Sequence, residues 1–210
     1  MRRLVEIDPI REGLDYMLYT YPRLRKLCPD PYTAINREIA ENSYHNLVRI
    51  VLGQQVSTAA ARTIWERLLR FLGDDFMPDD VVKAEFDGMR ACGLSARKVE
   101  YIKGMSTAIL EGRLTPHLFD GMSDEDIAAS IVALKGFGQW SVDMFLIFGL
   151  GRGDVWPVGD LGVRMGVQTL TMREARPDDA DMARLGAEFS PFGTAAALLM
   201  WEIKDNPPSL

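Results

Sequence analysis

Apolar residues recur every three or four positions along almost the whole chain, which is the spacing that places them on one face of a helix. No segment shows a convincing apolar–polar alternation of the kind that a β-strand requires. Residues that cap helices divide the pattern into segments. Helices are predicted to begin after Asn42 or Ser43, at Ser57 or Thr58, at Pro78, after Ser95, after Ser123, at Trp140, after Asp160, after Pro177 and at about Pro191. The pattern therefore predicts an all-α protein.

Two segments of the pattern predict more detail. Ser123 and Asp126 have the spacing of a capping box, and Gly136 is predicted to end the helix that they begin. The apolar run from Trp140 to Leu150 has little polar face, so its helix is predicted to be buried on most sides. A loop is predicted from there to Asp160.

The composition narrows the class of protein. The chain has 210 residues, of which 47% are hydrophobic and 26% charged, and these values are typical of a globular domain. The apolar stretches are far shorter than the roughly 20 residues that a spanning helix needs. Cys28 and Cys92 are the only cysteines, too few for a disulfide framework, a four-cysteine zinc site or an iron–sulfur cluster. We expect a cytoplasmic protein, or a nuclear one in a eukaryote, that does not associate with membranes.

The charge is unevenly distributed. A formal net charge of −6 argues at first against binding to nucleic acid, but the acidic residues concentrate in segments 74–87 and 174–188. Residues 90–113 instead carry an excess of basic side chains: Arg90, Arg97, Lys98, Lys103 and Arg113. Such a segment is either a solvated helix face or a surface that binds an anion, and the charge alone does not distinguish these two interpretations.

The segment 134–141, LKGFGQWS, places two glycines in a short turn between two predicted helices. Glycine tolerates positive φ and lets backbone N–H groups approach a phosphate at the start of the second helix. Such a hairpin can bind a nucleic-acid backbone without basic side chains. It can equally be a tight connection with no ligand.

With this hairpin, three further segments resemble the helix-hairpin-helix DNA glycosylase superfamily, in its 3-methyladenine DNA glycosylase II branch. They are LGQQVSTAAA at 52–61, DVWPVGDLG at 154–162, and SPFGTAA at 190–196 with the helix to Trp201. The resemblance covers about residues 40–204. It implies two helical lobes, about 42–150 and about 1–41 with 151–210, with the active site in the cleft between them. No N-terminal β domain is expected, although larger relatives have one.

The resemblance implies a monofunctional enzyme of base excision repair. Relatives that also cleave the strand carry a lysine, able to form a Schiff base, where this chain has Trp140. We therefore expect hydrolysis of the N-glycosidic bond of alkylated purines, 3-methyladenine and 7-methylguanine, leaving an abasic site. A helix-hairpin-helix module that recognises distorted duplex without chemistry and a helical protein-interaction domain are the alternatives.

The resemblance also implies the site residues. Asp160 is the expected catalytic carboxylate, although an N-cap for the following helix is its simpler role. The other expected positions are a base pocket of Trp140, Trp201 and Met144, an intercalating pair Gln54 and Gln55, and a DNA-backbone contact at Gly136, Phe137, Gly138 and Gln139. Both tryptophans could instead be core residues, and the glutamines a polar loop.

The partner expected from the resemblance is double-stranded DNA that carries alkylated bases, bound by a monomer. No cofactor is expected to be required. A structural monovalent cation, Na⁺ or K⁺, is expected on the backbone carbonyls of Val132, Leu134 and Phe137. The chain departs from the branch at Gly193, where the final helix usually starts with an arginine.

Overall fold

The computed structural model describes residues 2–40 and 43–207, and these residues are almost entirely helices and short connections. Within them, strand pairing is limited to one isolated bridge between Arg3 and Glu38. The predicted all-α class is therefore confirmed. No helix of the described part is both long and apolar enough to cross a membrane.

Among the described residues, Leu4–Glu6 and Pro116–Gly121 form 3₁₀ helices, and the other helices are α-helices. In chain order they are α1 (Asp8–Thr20), α2 (Pro22–Leu27), α3 (Pro31–Ala34), α4 (Ser43–Gly53), α5 (Thr58–Leu72), α6 (Pro78–Lys83), α7 (Phe86–Ala91), α8 (Ala96–Leu110), α9 (Asp124–Val132), α10 (Gln139–Phe148), α11 (Leu161–Thr171), α12 (Asp179–Phe189) and α13 (Gly193–Asp205).

The chain divides into two compact units, one made of Met1–Ile39 and Leu146–Leu210 and the other of Ala40–Phe145. The division falls inside α10, several residues before the predicted lobe boundary at 150. The helix continues past the division because its apolar run is uninterrupted to Phe148.

Side-chain caps explain where several helices begin. The hydroxyls of Ser57, Ser95 and Ser123 each accept a hydrogen bond from the backbone N–H three residues later, at 3.2, 3.3 and 3.1 Å. Each bond satisfies one of the backbone donors that a helix N-terminus leaves unpaired. These three predicted starts are confirmed. The alternative cap Asn42 lies outside the described residues, and α4 begins at Ser43.

One predicted boundary was wrong. Helix α9 does not continue to Gly136 but ends at Val132, with Ala133 as its C-cap. Gly136 lies in the turn beyond it with φ +91°, a conformation that a helix cannot contain. Helix α13 begins at Gly193, close to its predicted start at about Pro191. The apolar pattern also missed α1–α3, of which α2 and α3 each start on a proline.

Helix α13 forms the core of the first unit, and nearly all of its residues up to Ile203 are buried. Glycines let two helices approach it closely. A Cβ at Gly166 of α11 would lie 2.2 Å from the carbonyl oxygen of Met200, and one at Gly13 of α1 would lie 2.8 Å from the Cβ of Ala195. Helix α11 therefore packs backbone against backbone on α13, whereas α1 packs against side chains at the start of α13.

In the second unit α8 packs against α4, α6 and α7. Its inner face, which includes Val99, Ile102 and Met105, is completely buried or nearly so. The opposite helix α4 contributes Leu47 and Val51 to the core. This packing holds α8 against α4, the helix that precedes the loop of Gln54 and Gln55.

Candidate active site

Asp160 is the N-cap of α11, and its carboxylate is held by two donors. Its Oδ1 accepts the backbone N–H of Val163 and the indole N–H of Trp201, both at 2.8 Å. The residue is only 9% exposed. Hydrogen bonds to an ionised carboxylate are stronger than those between neutral groups. The cap and the proposed functional role therefore coincide, since the cap bond orients the carboxylate.

A glycine that the sequence reasoning left without a role makes this contact possible. A Cβ at Gly162 would lie 2.9 Å from Cδ1 and 3.1 Å from Nε1 of Trp201, and 3.1 Å from Oδ1 of Asp160. Any larger residue would press between the carboxylate and its indole donor. The i, i+4 pair of Gly162 and Gly166 on α11 is the sequence signal for this close approach.

The start of α13 anchors the loop that carries Asp160. The carboxylate of Asp154 accepts the N–H of Gly193 at 3.0 Å and the hydroxyl of Ser190 at 2.7 Å. The Thr194 hydroxyl accepts the N–H of Val155 at 3.0 Å and donates to the carbonyl of Arg152 at 2.6 Å. Asp154 and Thr194 therefore both anchor this loop, and the sequence did not predict the role of Thr194.

The departure from the branch pattern at Gly193 has a steric reason in this chain. A Cβ there would lie 3.0 Å from Oδ1 of Asp154 and 3.0 Å from the backbone carbon of Val155. A side chain at this position would require the loop to shift by a few tenths of an ångström.

Trp201 is 7% exposed, and its ring has two close neighbours besides the Asp160 carboxylate. The Phe148 ring lies 5.6 Å away between centroids, and the Arg37 guanidinium lies 5.2 Å from the indole centroid. Arg37 is also paired with Asp205 at 3.0 Å. The indole thus already contacts one cation. Its predicted role in the base pocket stays a prediction, while its role as a donor to Asp160 is seen directly.

The two hairpin glycines differ in their surroundings. A Cβ at Gly136 would lie 2.2 Å from the ring of Tyr101, and its φ of +91° is strained for any other residue. A Cβ at Gly138 would meet nothing within 4 Å. Phe137 between them is buried. Gly136 therefore serves packing, whereas Gly138 leaves backbone open at the start of α10, next to the exposed Gln139.

The two glutamines after α4 also differ. The side-chain amide of Gln54 donates to the carbonyl of Gly136 at 2.9 Å and lies 3.4 Å from the Ser141 hydroxyl. Gln55 is exposed and has φ +57°, which points to a tight loop tip. Gln54 is thus bound to the hairpin, whereas Gln55 is exposed, and the intercalating role stays a prediction.

These residues border a pocket of about 460 Å³ in the second unit. It is lined by Gln54, Gln55, Ser95, Arg97, Lys98, Tyr101, Gly136, Gly138, Trp140 and Ser141. Trp140 is half-buried, and Met144, one turn further along α10, is buried. Asp143 accepts the side-chain amide of Gln139, four residues earlier on α10, at 2.8 Å. The basic segment predicted from the sequence thus supplies Arg97 and Lys98 to the pocket.

Lys135 is the amine nearest to the hairpin in sequence, and it is directed elsewhere. Its ammonium is 3.3 Å from the carboxylate of Glu100 on α8, and its side chain is 79% exposed.

The carbonyls expected to hold a monovalent cation lie at the end of α9 and in the hairpin. The carbonyl of Leu134 accepts the N–H of Phe137 at 3.2 Å, and a carbonyl oxygen has a second lone pair for a cation. Val132 ends α9, where a helix places partial negative charge. Backbone carbonyl oxygens are ligands that Na⁺ or K⁺ can take, and a cation at this position stays a prediction.

Comparison with known proteins places this geometry in a family. The model of HhH-GPD superfamily base excision DNA repair proteins matches residues 48–191. DNA-3-methyladenine glycosylase 1 of Schizosaccharomyces pombe is 34% identical over 162 residues, 76% of this chain and 71% of the relative. The S. pombe 3-methyladenine DNA glycosylase structure in complex with abasic DNA superposes with a TM-score of 0.82 at 31% identity, covering 90% of this chain and 93% of that one. A Bacillus halodurans DNA-3-methyladenine glycosidase gives 0.69 at 26% identity, covering 88% and 90%. The chain belongs to the HhH-GPD superfamily of base excision DNA repair proteins.

Proposed function

We propose that this protein is a monofunctional DNA glycosylase that excises alkylated purines, such as 3-methyladenine and 7-methylguanine, from double-stranded DNA. The observation that carries the proposal is the buried Asp160 carboxylate, held by Val163 and Trp201 in a family whose members repair DNA by base excision. The enzyme is expected to act as a monomer and to leave an abasic site.

The reaction needs a fixed negative charge. Loss of the base leaves an oxocarbenium-like sugar, and a carboxylate beside it stabilises the positive charge that develops. The two hydrogen bonds to Oδ1 hold Asp160 in one orientation before the reaction, so little reorganisation is needed. The same carboxylate orients the attacking water.

The hairpin supplies binding without a basic face. The first turn of a helix leaves backbone N–H groups without intrahelical partners, and its dipole favours a phosphate there. Gly138, with open space around it, lets a DNA strand reach this turn of α10. A monovalent cation on the carbonyls of Val132, Leu134 and Phe137 would add positive charge facing the same strand.

The amine chemistry argues for hydrolysis. Trp140 occupies the position of the Schiff-base lysine, and Lys135 is paired with Glu100. Borohydride is therefore expected to trap no covalent enzyme–DNA adduct during excision, and product strands should break only after alkali or heat. Denaturing gels of borohydride-treated reactions test this, with a strand-cleaving glycosylase as the positive control. A trapped species would overturn the monofunctional assignment.

Selection of cationic bases follows from the aromatic residues. Alkylation at a ring nitrogen gives a base that is positively charged and already a good leaving group. Trp140, Trp201 and Met144 are proposed to form the base pocket, and a cation over an indole gains about 0.5 to 2 kcal/mol. The Arg37 guanidinium beside Trp201 supports the ability of this indole to accept a positive charge.

The variant Trp201→Ala is expected to lose more activity on 7-methylguanine than on the neutral lesion hypoxanthine. The difference should be about 0.5 to 2 kcal/mol, because cation–π attraction is lost only with the cationic base. Single-turnover rates on matched duplexes measure it. Trp156→Ala is the control, since that indole donates to the Met182 carbonyl and packs on Phe189. Equal losses on both lesions would mean that Trp201 does not recognise the cationic base and contributes only through its bond to Asp160.

The target base must leave the duplex before any of this chemistry, and a side chain must occupy the space it leaves. Gln55 is proposed for this role, because it is exposed at the loop tip. A glutamine can also form hydrogen bonds with the orphaned partner base.

Incubation with a panel of defined lesion duplexes tests the proposed function. Release of 3-methyladenine and 7-methylguanine with alkali-labile sites is the expected result. Salt-dependent binding to the same duplexes without base release would instead identify a module that recognises distorted DNA. Absence of salt-dependent DNA affinity would favour a protein-interaction domain.

A further inference from the structure

A lysine on α8 is bonded to the end of α4. The ammonium of Lys98 donates to the carbonyl of Leu52 at 2.8 Å. Leu52 lies in the last turn of α4, where carbonyls have no partner within the helix. Lys98 is half-buried, and this partial burial lowers the pKa of its ammonium. The positive charge of Lys98 is also attracted to the partial negative charge at the C-terminus of α4.

The loop directly after this bond is the one that presents Gln55. Its other fixed point is the Gln54 amide, which donates to the carbonyl of Gly136 at 2.9 Å. Gln55 follows immediately with φ +57°, in the left-handed region. Two bonds therefore hold the loop. Lys98 of α8 binds the end of α4 before the loop, and Gln54 binds Gly136 of the hairpin next to Gln55.

We propose that Lys98 is a positioning residue that, together with Gln54, presets the loop carrying Gln55 so that this side chain enters the duplex without prior ordering of the loop. The inference rests on the proposed function. It assigns Lys98 a role in base flipping through Leu52 and Gln55, and no contact with the damaged base or with the sugar.

The physical reason is pre-organisation. A loop that must be ordered during flipping loses conformational entropy at that step, and this loss slows the insertion of Gln55. A base that is already unpaired leaves the stack more easily and depends less on the inserted side chain. Loss of Lys98 should therefore matter most for a lesion in a normal base pair.

The test compares Lys98→Met with Lys103→Met. Lys103 lies on the same helix and also donates to backbone carbonyls, those of Val82 at 2.8 Å and Ala84 at 2.6 Å, but these are not part of the Gln55 loop. Both substitutions remove one charge and its bonds while keeping most of the aliphatic stem. Single-turnover excision is measured on 7-methylguanine paired with cytosine and on the same lesion opposite an abasic-site analogue.

For Lys98→Met the expected loss is about tenfold on the paired lesion and clearly smaller on the unpaired one. Lys103→Met should keep the wild-type rate on both, and Lys98→Arg should recover part of the loss. If Lys98→Met does not fold, as judged by its circular dichroism and melting temperature, Gln54→Leu removes the other bond and should show the same dependence on pairing.

Equal losses on the paired and unpaired lesions would overturn the inference, because a general effect on stability or chemistry would explain them. A weaker affinity for undamaged duplex with a salt slope reduced by about one would also overturn it, since Lys98 would then be a phosphate ligand. A wild-type protein that releases the base from neither duplex would overturn the proposed function itself.

Discussion

Replacing Asp160 with asparagine should lower the single-turnover excision rate about a thousandfold, because the variant loses the negative charge that opposes the developing oxocarbenium ion. Asparagine keeps a side-chain oxygen that can accept the Val163 N–H and the Trp201 indole N–H. The N-cap and the local packing should therefore survive. Rates on 7-methylguanine duplexes, together with the melting temperature of the variant, measure the two effects separately.

Asp154→Asn is the matched control for Asp160→Asn. Asp154 lies in the same loop, and its carboxylate accepts hydrogen bonds from Ser190 and Gly193. Its replacement should lower the melting temperature slightly and leave the excision rate within a few fold of wild type. If Asp160→Asn cut at nearly the wild-type rate, or if Asp154→Asn were the more damaged enzyme, the catalytic role would not belong to Asp160.

Features set by neighbours in sequence were predicted well. Ser57, Ser95 and Ser123 cap the helices that they were predicted to cap, since the cap bond reaches only three residues ahead. The N-cap role of Asp160 was likewise predicted, because Asp160 directly precedes the helix that it caps. The bond from Trp201 to Asp160 was not predicted, because it joins residues 41 positions apart.

Features set by long-range packing were not predicted. The requirement for Gly162 comes from Trp201, and the requirement for Gly193 comes from the loop at Asp154. The spacing of Gly162 and Gly166 signals a close approach but not which residue approaches, and Gly193 has no such local signal. The same limit applies to Gln54 and Gln55, which are identical in type and adjacent. Only the position of the hairpin shows that Gln54 is bound to Gly136 while Gln55 is exposed.

The exposed backbone of the hairpin gives the second large expected effect. Gly138→Ile should weaken binding to duplex DNA about 10- to 100-fold, because the side chain would fill the open space through which a phosphate reaches the first turn of α10, and charge-assisted bonds to backbone N–H groups would be lost. The melting temperature should change little, since no atom lies within 4 Å of the added Cβ. Fluorescence anisotropy with undamaged duplex at several salt concentrations measures the effect.

Gly121→Ile is the matched control, because a Cβ at Gly121 also meets nothing within 4 Å and this glycine lies outside the hairpin. It should bind DNA as the wild type does. Gly136 is unsuitable for the test, since a side chain there would collide with Tyr101 and unfold the turn itself. Unchanged affinity in a folded Gly138→Ile variant would exclude the hairpin backbone from the DNA interface. An equal loss in both isoleucine variants would mean that the added apolar surface, and not the blocked phosphate approach, weakens binding.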